Sequence, residues 1–400
     1  GGLPLPEKPS IVVLPFANLG GDGKEDYFAD GITHEIITRL ARVPGLFVIA
    51  RTSSFAYKSR RVRVDQVGRE LGVRYVLEGS FQKAGDRIRV AAQLVEASTG
   101  RNLWSNTYER RMKDIFDLQD DITRNIVTAL EVKLTEGEQA RVWHTATSDP
   151  KAWDYFVQGV ALLRGLKPEE TRQAKAAFKK AIDLDPNSAG AITGLGLAHF
   201  VEAKYGWSKS VTGSLQRAAD LARRAIRIDE TLGEPYSLLG SIHLVKRQYA
   251  QAILLGKKGV ALIPNGAEAT ALLAMILNYS GRPREALKMA KRAMLLSPSY
   301  PHWYLYHLGL ANYLMGKYQP ATEAFAGVLD RDANSPITHM MLVASYAAAR
   351  RWKEARAEAA VFRERDYGLT PAKFLPRAEP HKEPAILKKV LADLAKAGLR

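Results

Sequence analysis

The sequence contains no cysteine, which excludes disulfides, thiol nucleophiles and cysteine-ligated zinc. No run approaches the roughly 18 consecutive apolar residues of a membrane-spanning helix. The opening GGLPLPEKPS lacks the charged-then-apolar order of a secretory signal, and residues 1–9 read as a proline-rich linker. Acidic residues are in deficit: 42 Asp and Glu face 58 Lys and Arg, a formal charge of +16. With 46% hydrophobic and 25% charged residues, the composition is that of a cytoplasmic chain, or the cytoplasmic part of a longer one. Its 400 residues allow two or three domains with buried cores.

A nucleotide loop is also missing. Val12–Leu40 reads strand, glycine-rich loop, helix, but Gly23-Lys24 is followed by Glu25 and the first-glycine position of a P-loop holds Asn18. Gly21-Asp22-Gly23 is followed by Asp26 where a dinucleotide fingerprint needs a small residue. Asp22, Glu25, Asp26 and Asp30 would repel phosphate from the helix start. The stretch is a surface turn with Asp30 near a helix N-cap.

The positive charge raises nucleic acid as a partner. Most Lys and Arg, however, alternate with acids, as in KEARAEAAVFRERD, the pattern of solvated helix faces. The exception is RTSSFAYKSRRVR, where Arg51, Lys58, Arg60, Arg61 and Arg63 form a candidate patch for an anionic partner. Nucleic acid is not the expected one. The eight histidines offer no metal site. His34-Glu35 lacks a second His four residues on, His302 and His307 are five apart, and His199 and His243 fall at packing positions. No nucleophile–base order or carboxylate pair stands out, and no cofactor or metal is expected.

What is abundant is repetition. From Pro235 onward one pattern recurs with a 34-residue period. Leu239-Gly240, Leu273-Ala274 and Leu308-Gly309 are its large–small pairs. Ala252, Ala286, Ala321 and Ala355 open the second helix, Gly256, Ala290, Phe325 and Ala359 follow, and Pro264 and Pro298 end helices. Two further units with longer internal loops begin near Ala152 and Ala189. This spacing resembles the tetratricopeptide repeat: small residues let paired helices approach, and large ones fill the space between pairs. About six repeats are expected over 152–369, with a capping helix, PAILKKVLADLAKAGLR, in the region 370–400. Positions that line the concave groove of such repeats hold Trp153, Phe156, Phe200, Met275, Asn278, Tyr279, Trp303, Tyr306 and Tyr313. The groove is therefore aromatic, a candidate site for a protein or peptide partner. It lacks the Lys and Asn pairs that clamp a C-terminal carboxylate. A neighbouring segment or a second copy filling it is the sharper reading, and packing is the plain one.

Residues 10–135 alternate strand and helix signals. SIVVLPF and LFVIA read as buried strands, with a helix over Asp30–Arg42 and another near Val64–Leu71. VRYVLEGSFQK, RIRVAAQLVEA and NLWSNTYER form a meander, followed by a long helix over Asp114–Leu134. In the second of these strands Ile88, Val90, Ala92 and Leu94 share a face opposite Arg87, Arg89 and Gln93. An α/β sandwich domain followed by an all-α tetratricopeptide-repeat solenoid is expected, joined by a connector at 136–151. These segments, with VGRELGVRYVLEGS and DIFDLQDDIT, resemble the TolB-like amino-terminal domain family. The pairing with repeats is similar to the C-terminal region of bacterial class III adenylate/guanylate cyclases. It also resembles the sensory half of winged-helix transcription regulators. The cyclase resemblance implies a non-catalytic regulatory and assembly module, one that binds a partner or itself and has no cyclase metal aspartates in this chain. Small-ligand binding by the first domain is the alternative.

Overall fold

The computed structural model describes residues 5–20, 23, 25–58, 60, 62–135, 147 and 149–399. The expected connector at 136–151 lies largely outside the described residues, as does Arg61. Two compact units emerge: residues 1–239, 258–266 and 296–299 form one, and residues 240–257, 267–295 and 300–400 the other.

The first unit opens with a small mixed sheet. Strands β1 (Ser10–Val13), β2 (Ala17–Asn18), β3 (Phe47–Val48), β4 (Tyr75–Ala84), β5 (Arg87–Glu96) and β6 (Asn102–Arg111) run in the order β3-β1-β4-β5-β6, with β2 beside β4. β4, β5 and β6 are the expected antiparallel meander. β1 instead pairs in parallel with β3 and β4, so the apolar opening run is a central strand with both faces covered. The β4–β5 link is a two-residue turn, Gly85-Asp86, with Ala84 paired to Arg87. Gly85 sits at φ +63°, where a Cβ is unfavourable.

Helices lie on both sides of this sheet, which qualifies the sandwich expectation. α1 (Asp26–Ala41) and α4 (Ile115–Ala129) cover one face, where Ile11, Val13, Leu77, Phe81 and the Ile88, Val90, Ala92, Leu94 row form a continuous core. On the other side α2 (Arg51–Phe55) lies against β1, and α3 (Val64–Leu71) joins Val12 and Val76 in a smaller core with Ile49, Tyr57, Val67 and Leu71. The outer face of β5 is left to Arg87, Arg89 and Gln93, all exposed. α1 begins at Asp26, so Asp30 lies inside the helix rather than at its N-cap. α4 ends at Ala129, short of Leu134, and Glu131 takes a left-handed φ of +53°.

The rest is helical: α5 (Pro150–Leu163), α6 (Pro168–Leu184), α7 (Ala189–Lys204), α8 (Val211–Ile228), α9 (Glu234–Val245), α10 (Tyr249–Leu262), α11 (Ala267–Tyr279), α12 (Pro283–Leu296), α13 (His302–Leu314), α14 (Tyr318–Leu329), α15 (Pro336–Ala348) and α16 (Trp352–Glu364). Among the described residues α5 packs with α6, α7 with α8, α13 with α14 and α15 with α16. α17 (Pro371–Ala378) and α18 (Pro384–Lys396) follow. Caps are local: the Asp149 carboxylate accepts the Lys151 and Ala152 amides before α5, and Ser210 accepts the Gly213 amide before α8. Ala252, Ala286, Ala321 and Ala355 are all fully buried, as the small-residue positions of paired helices require. α18 buries Val390 and Leu394, followed by Ala397 and Leu399, in the core that also holds Met340, Val343 and Ala344 of α15.

The first two pairs close around a single ring. A Cβ on Gly159 would lie 2.7 Å from Phe178, and one on Gly194 only 2.5 Å. Gly194→Ala gains up to about 1 kcal/mol of helix propensity but forces that ring to move, at about 1–3 kcal/mol. A net loss near 1 kcal/mol is expected, read as a lower urea midpoint. An unchanged midpoint would mean the ring moves freely.

Candidate functional site

The nine groove residues divide between the two units. Trp153, Phe156 and Phe200 belong to the first, the other six to the second.

In the first unit the α/β domain itself covers the inner helix of the first repeat. Trp153 is 0% exposed. Its ring stands edge-on to Phe28 of α1 at 4.9 Å and to Phe116 of α4 at 6.5 Å. The Tyr27 hydroxyl donates to Asp154 at 2.9 Å, and a Cβ on Gly31 would lie 2.8 Å from Val157. This explains why α1 is buried nearly all round, including Thr33, Glu35 and Arg39. Arg39 pairs with Asp120 of α4. Phe156 packs against Phe178, and Phe200 is half-buried.

Two repeat turns also reach the sheet domain. Asn265 Nδ2 donates to Val43 O at 3.0 Å, and its amide to Ala41 O at 3.1 Å, satisfying carbonyls at the end of α1. Ala50 N donates to Leu296 O, and Ser53 Oγ lies 3.1 Å from Ser297 Oγ while accepting the Ser299 amide at 2.8 Å. The sequence shows these turns only as IPN and SPS, so their docking role was invisible there.

The basic run begins on the same face. The Arg51 guanidinium lies over the Phe55 ring at 3.4 Å and 4.0 Å from Asp30. Lys58 pairs with Asp30 at 2.8 Å, Arg60 stacks on Tyr57 at 4.9 Å, and Arg63 pairs with Asp65 at 3.0 Å. Burial raises the Asp30 carboxyl above its ordinary value, while Lys58 acts in the opposite direction. Much of this charge is therefore matched by local carboxylates and rings.

In the second unit the inner-helix face holds the chain's own C-terminal segment. Between α17 and α18 the chain runs Glu379-Pro380-His381-Lys382-Glu383. Glu379 is 3% exposed. Its Oε1 accepts from the hydroxyls of Tyr279 and Tyr306, each at 2.7 Å, and its Oε2 lies 3.0 Å from His381 Nε2. Burial acts against the Glu379 anion, but His381 and the two tyrosine hydroxyls outweigh it, so the carboxyl is held below its ordinary range. Burial, reinforced by that carboxylate, drives both tyrosines well above their ordinary 10.0. The backbone is held too. Lys382 N donates to Tyr279 O at 2.8 Å, Tyr249 Oη to Pro380 O at 3.1 Å, and Arg247 Nη2 to Pro376 O at 2.9 Å.

Tyr313 meets Lys389 of α18, 5.3 Å from its ring. Asn278 is fully buried and donates to His307 O at 2.8 Å. Met275 packs against the core, and Trp303 stands edge-on to Tyr304 at 4.4 Å. The tyrosines stand out in the sequence by repeat position, whereas Glu379 and His381 do not, because EPHKEP has the composition of a polar linker.

Among the described residues no group of three or more His, Cys, Asp or Glu could hold a metal. No helix there is long and apolar enough to cross a membrane. His243 Nδ1 lies 2.5 Å from Gln248 Oε1, a boundary contact.

The tetratricopeptide repeat family profile matches residues 169–188, which is α6 and the turn after it. The chain is 44% identical over 225 residues to Putative adenylate cyclase 3 of Rhizobium meliloti (strain 1021), covering 56% of this chain and 38% of that protein. It is 29% identical over 94 residues to Anaphase-promoting complex subunit 7 of Homo sapiens, covering 24% of this chain and 17% of that one. Among solved structures, the APC/C hetero-tetramer Cut9-Hcn1 aligns over 72% of this chain and 53% of its own, at 17% identity and a TM-score of 0.47. The chain thus spans 38% of the length of its cyclase relative. It joins a small N-terminal mixed sheet to a run of helices, part of which matches the tetratricopeptide repeat profile, and over more than half its length it is similar to Putative adenylate cyclase 3.

Proposed function

We propose that this chain is a non-catalytic regulatory, protein-interaction and assembly module, the C-terminal part of a bacterial adenylate/guanylate cyclase acting in cyclic-nucleotide signalling in the cytoplasm. In this reading residues 10–135 are a TolB-like domain and 152–369 the repeats. The observation that carries it is the 44% identity over 225 residues to the Rhizobium protein. The repeat fold of the chain supports contact rather than chemistry as its task. The α/β domain docks on repeat one and on two later repeat turns. A change at the repeats therefore has a short path of packed side chains to that domain. Partners engage the repeats, and a second copy is one of them, since a two-chain catalytic site upstream would require pairing.

Two measurements test this. The chain incubated with ATP or GTP and Mg²⁺ or Mn²⁺ is expected to give no cyclic nucleotide; product formation would end the non-catalytic reading. In the longer polypeptide, a cyclase domain preceding residue 1 is expected. Its rate should change when residues 152–399 are removed. A winged helix in that place, or an indifferent rate, would overturn the assignment to a cyclase.

A further inference from the structure

Capping the last repeat needs only an apolar surface, and α18 with the residues after it supplies one through Val390, Leu394, Ala397 and Leu399. The segment before it does something else. It places a carboxylate, 3% exposed, among tyrosines of α11 and α13. Removing an anion from water costs several kcal/mol unless its partners are well placed, and an apolar side chain would fill the same volume as stably. In some proteins a group of this kind serves selectivity rather than stability. The rest of the contact holds the backbone of a short turn, in which the His381 amide donates back to the Glu379 carbonyl at 2.8 Å. Side chains at one edge hold its carbonyls, Tyr249 that of Pro380 and Arg247 those of Pro376 and His381, and one strap amide reaches the Tyr279 carbonyl. Backbone bonds of this sort give affinity, and a pocketed side chain gives specificity. Pro380 fits because it brings no N–H that would need a partner.

We propose that this face, built by Tyr249, Tyr279 and Tyr306 with Arg247, is a recognition site for a segment of a partner protein in which glutamate is followed by proline, and that Glu379-Pro380 is its intramolecular occupant. The proposal rests on the protein-interaction reading above and names the partner's chemistry. The strap is joined to α16 by an exposed link in which Asp366 and Gly368 take φ of +42° and +62°. Tethering gives it an effective concentration on the order of millimolar. A partner segment must displace it, so apparent affinity is reduced by the fraction of chains whose face is free.

The test uses the full chain and a fluorescent peptide with the sequence of residues 376–383. Wild-type chain is expected to bind it weakly. Glu379→Gln, which weakens only the tethered competitor, is expected to bind at least about tenfold more tightly. Adding Tyr279→Phe and Tyr306→Phe should abolish that gain, and a peptide with Gln in place of its first Glu should bind neither chain. Equal binding by Glu379→Gln and wild type, or by the Gln and Glu peptides, would overturn the proposal. So would a doubled mass for Glu379→Gln with no peptide binding, which would give the face to a second copy. Should Glu379→Gln fail to fold, hydrogen exchange decides on wild-type chain at millimolar peptide. Residues 371–399 should lose protection while α11 and α13 keep theirs; unchanged protection overturns the proposal. A failure here with the cyclase response intact would leave the interaction reading standing on another surface.

Discussion

Trp153→Ala is expected to destabilise the first compact unit by about 3–5 kcal/mol, the range for removing a large buried aromatic. The side chain is 0% exposed and fills the space between Phe28 and Phe116. Because its buried indole N–H has no hydrogen-bond partner among the described residues, the loss is one of packing. Trp153→Phe should therefore cost much less, since it leaves most of the ring volume and removes an unpaired donor. The expected signature is selective. Amides of α1 and α4 should exchange faster, and the urea transition of the first unit should move to lower concentration while that of α13–α16 holds. Phe200→Ala, at a half-buried site, serves as the comparison and should cost less. Unchanged protection in α1 and α4 would show that repeat one does not support the sheet domain.

Glu379→Gln is expected to loosen the C-terminal strap by about 1.5–3 kcal/mol, the usual worth of hydrogen bonds to a charged group. The same residue sets a pH dependence. Its folded carboxyl titrates below the ordinary 4.5, so its stabilisation is fully present above that value and is lost as pH falls through the depressed one. The tyrosines act at the other end. Tyr279 and Tyr306 are raised above 10.0, so their contribution is fully present below 10 and is lost as pH rises through their folded values. Protection of residues 371–399 should thus fall as pH drops below 4.5 and as it rises above 10.0. Glu379→Gln should flatten the acid limb, and Tyr279→Phe with Tyr306→Phe the alkaline one. An acid limb of the same size in Glu379→Gln would assign it to other carboxylates.

Contacts are legible in this sequence when their partners lie close along the chain. Ala252, Ala286, Ala321 and Ala355 were legible as helix contacts because their partners lie within one repeat and recur each period. The Ile88–Leu94 row was legible because strand alternation is local. β1 was legible as a buried strand, but not its parallel pairing with β3 and β4, since both partners arrive after intervening helices. Asp30 was read as a cap because acids favour helix starts; its partners Lys58 and Arg51 come from α2 and the turn after it.

The candidate groove shows the same division. Tyr279, Tyr306 and Trp153 were found by repeat position, which fixes the face each residue presents. What covers that face was hidden, because Glu379 lies 100 residues from Tyr279 and 73 from Tyr306. Phe28 and Phe116 likewise belong to a domain that precedes the repeats.

By itself the sequence determined the two kinds of element and their order, because periodicity and small-residue spacing act between neighbours on one helix or strand. Only the tertiary structure decided that the aromatic positions are occupied, by α1 and α4 over Trp153 and by the Glu379 strap over Tyr279 and Tyr306. A buried carboxylate is tolerable only when several donors converge on it, and that convergence comes from segments far apart in the chain.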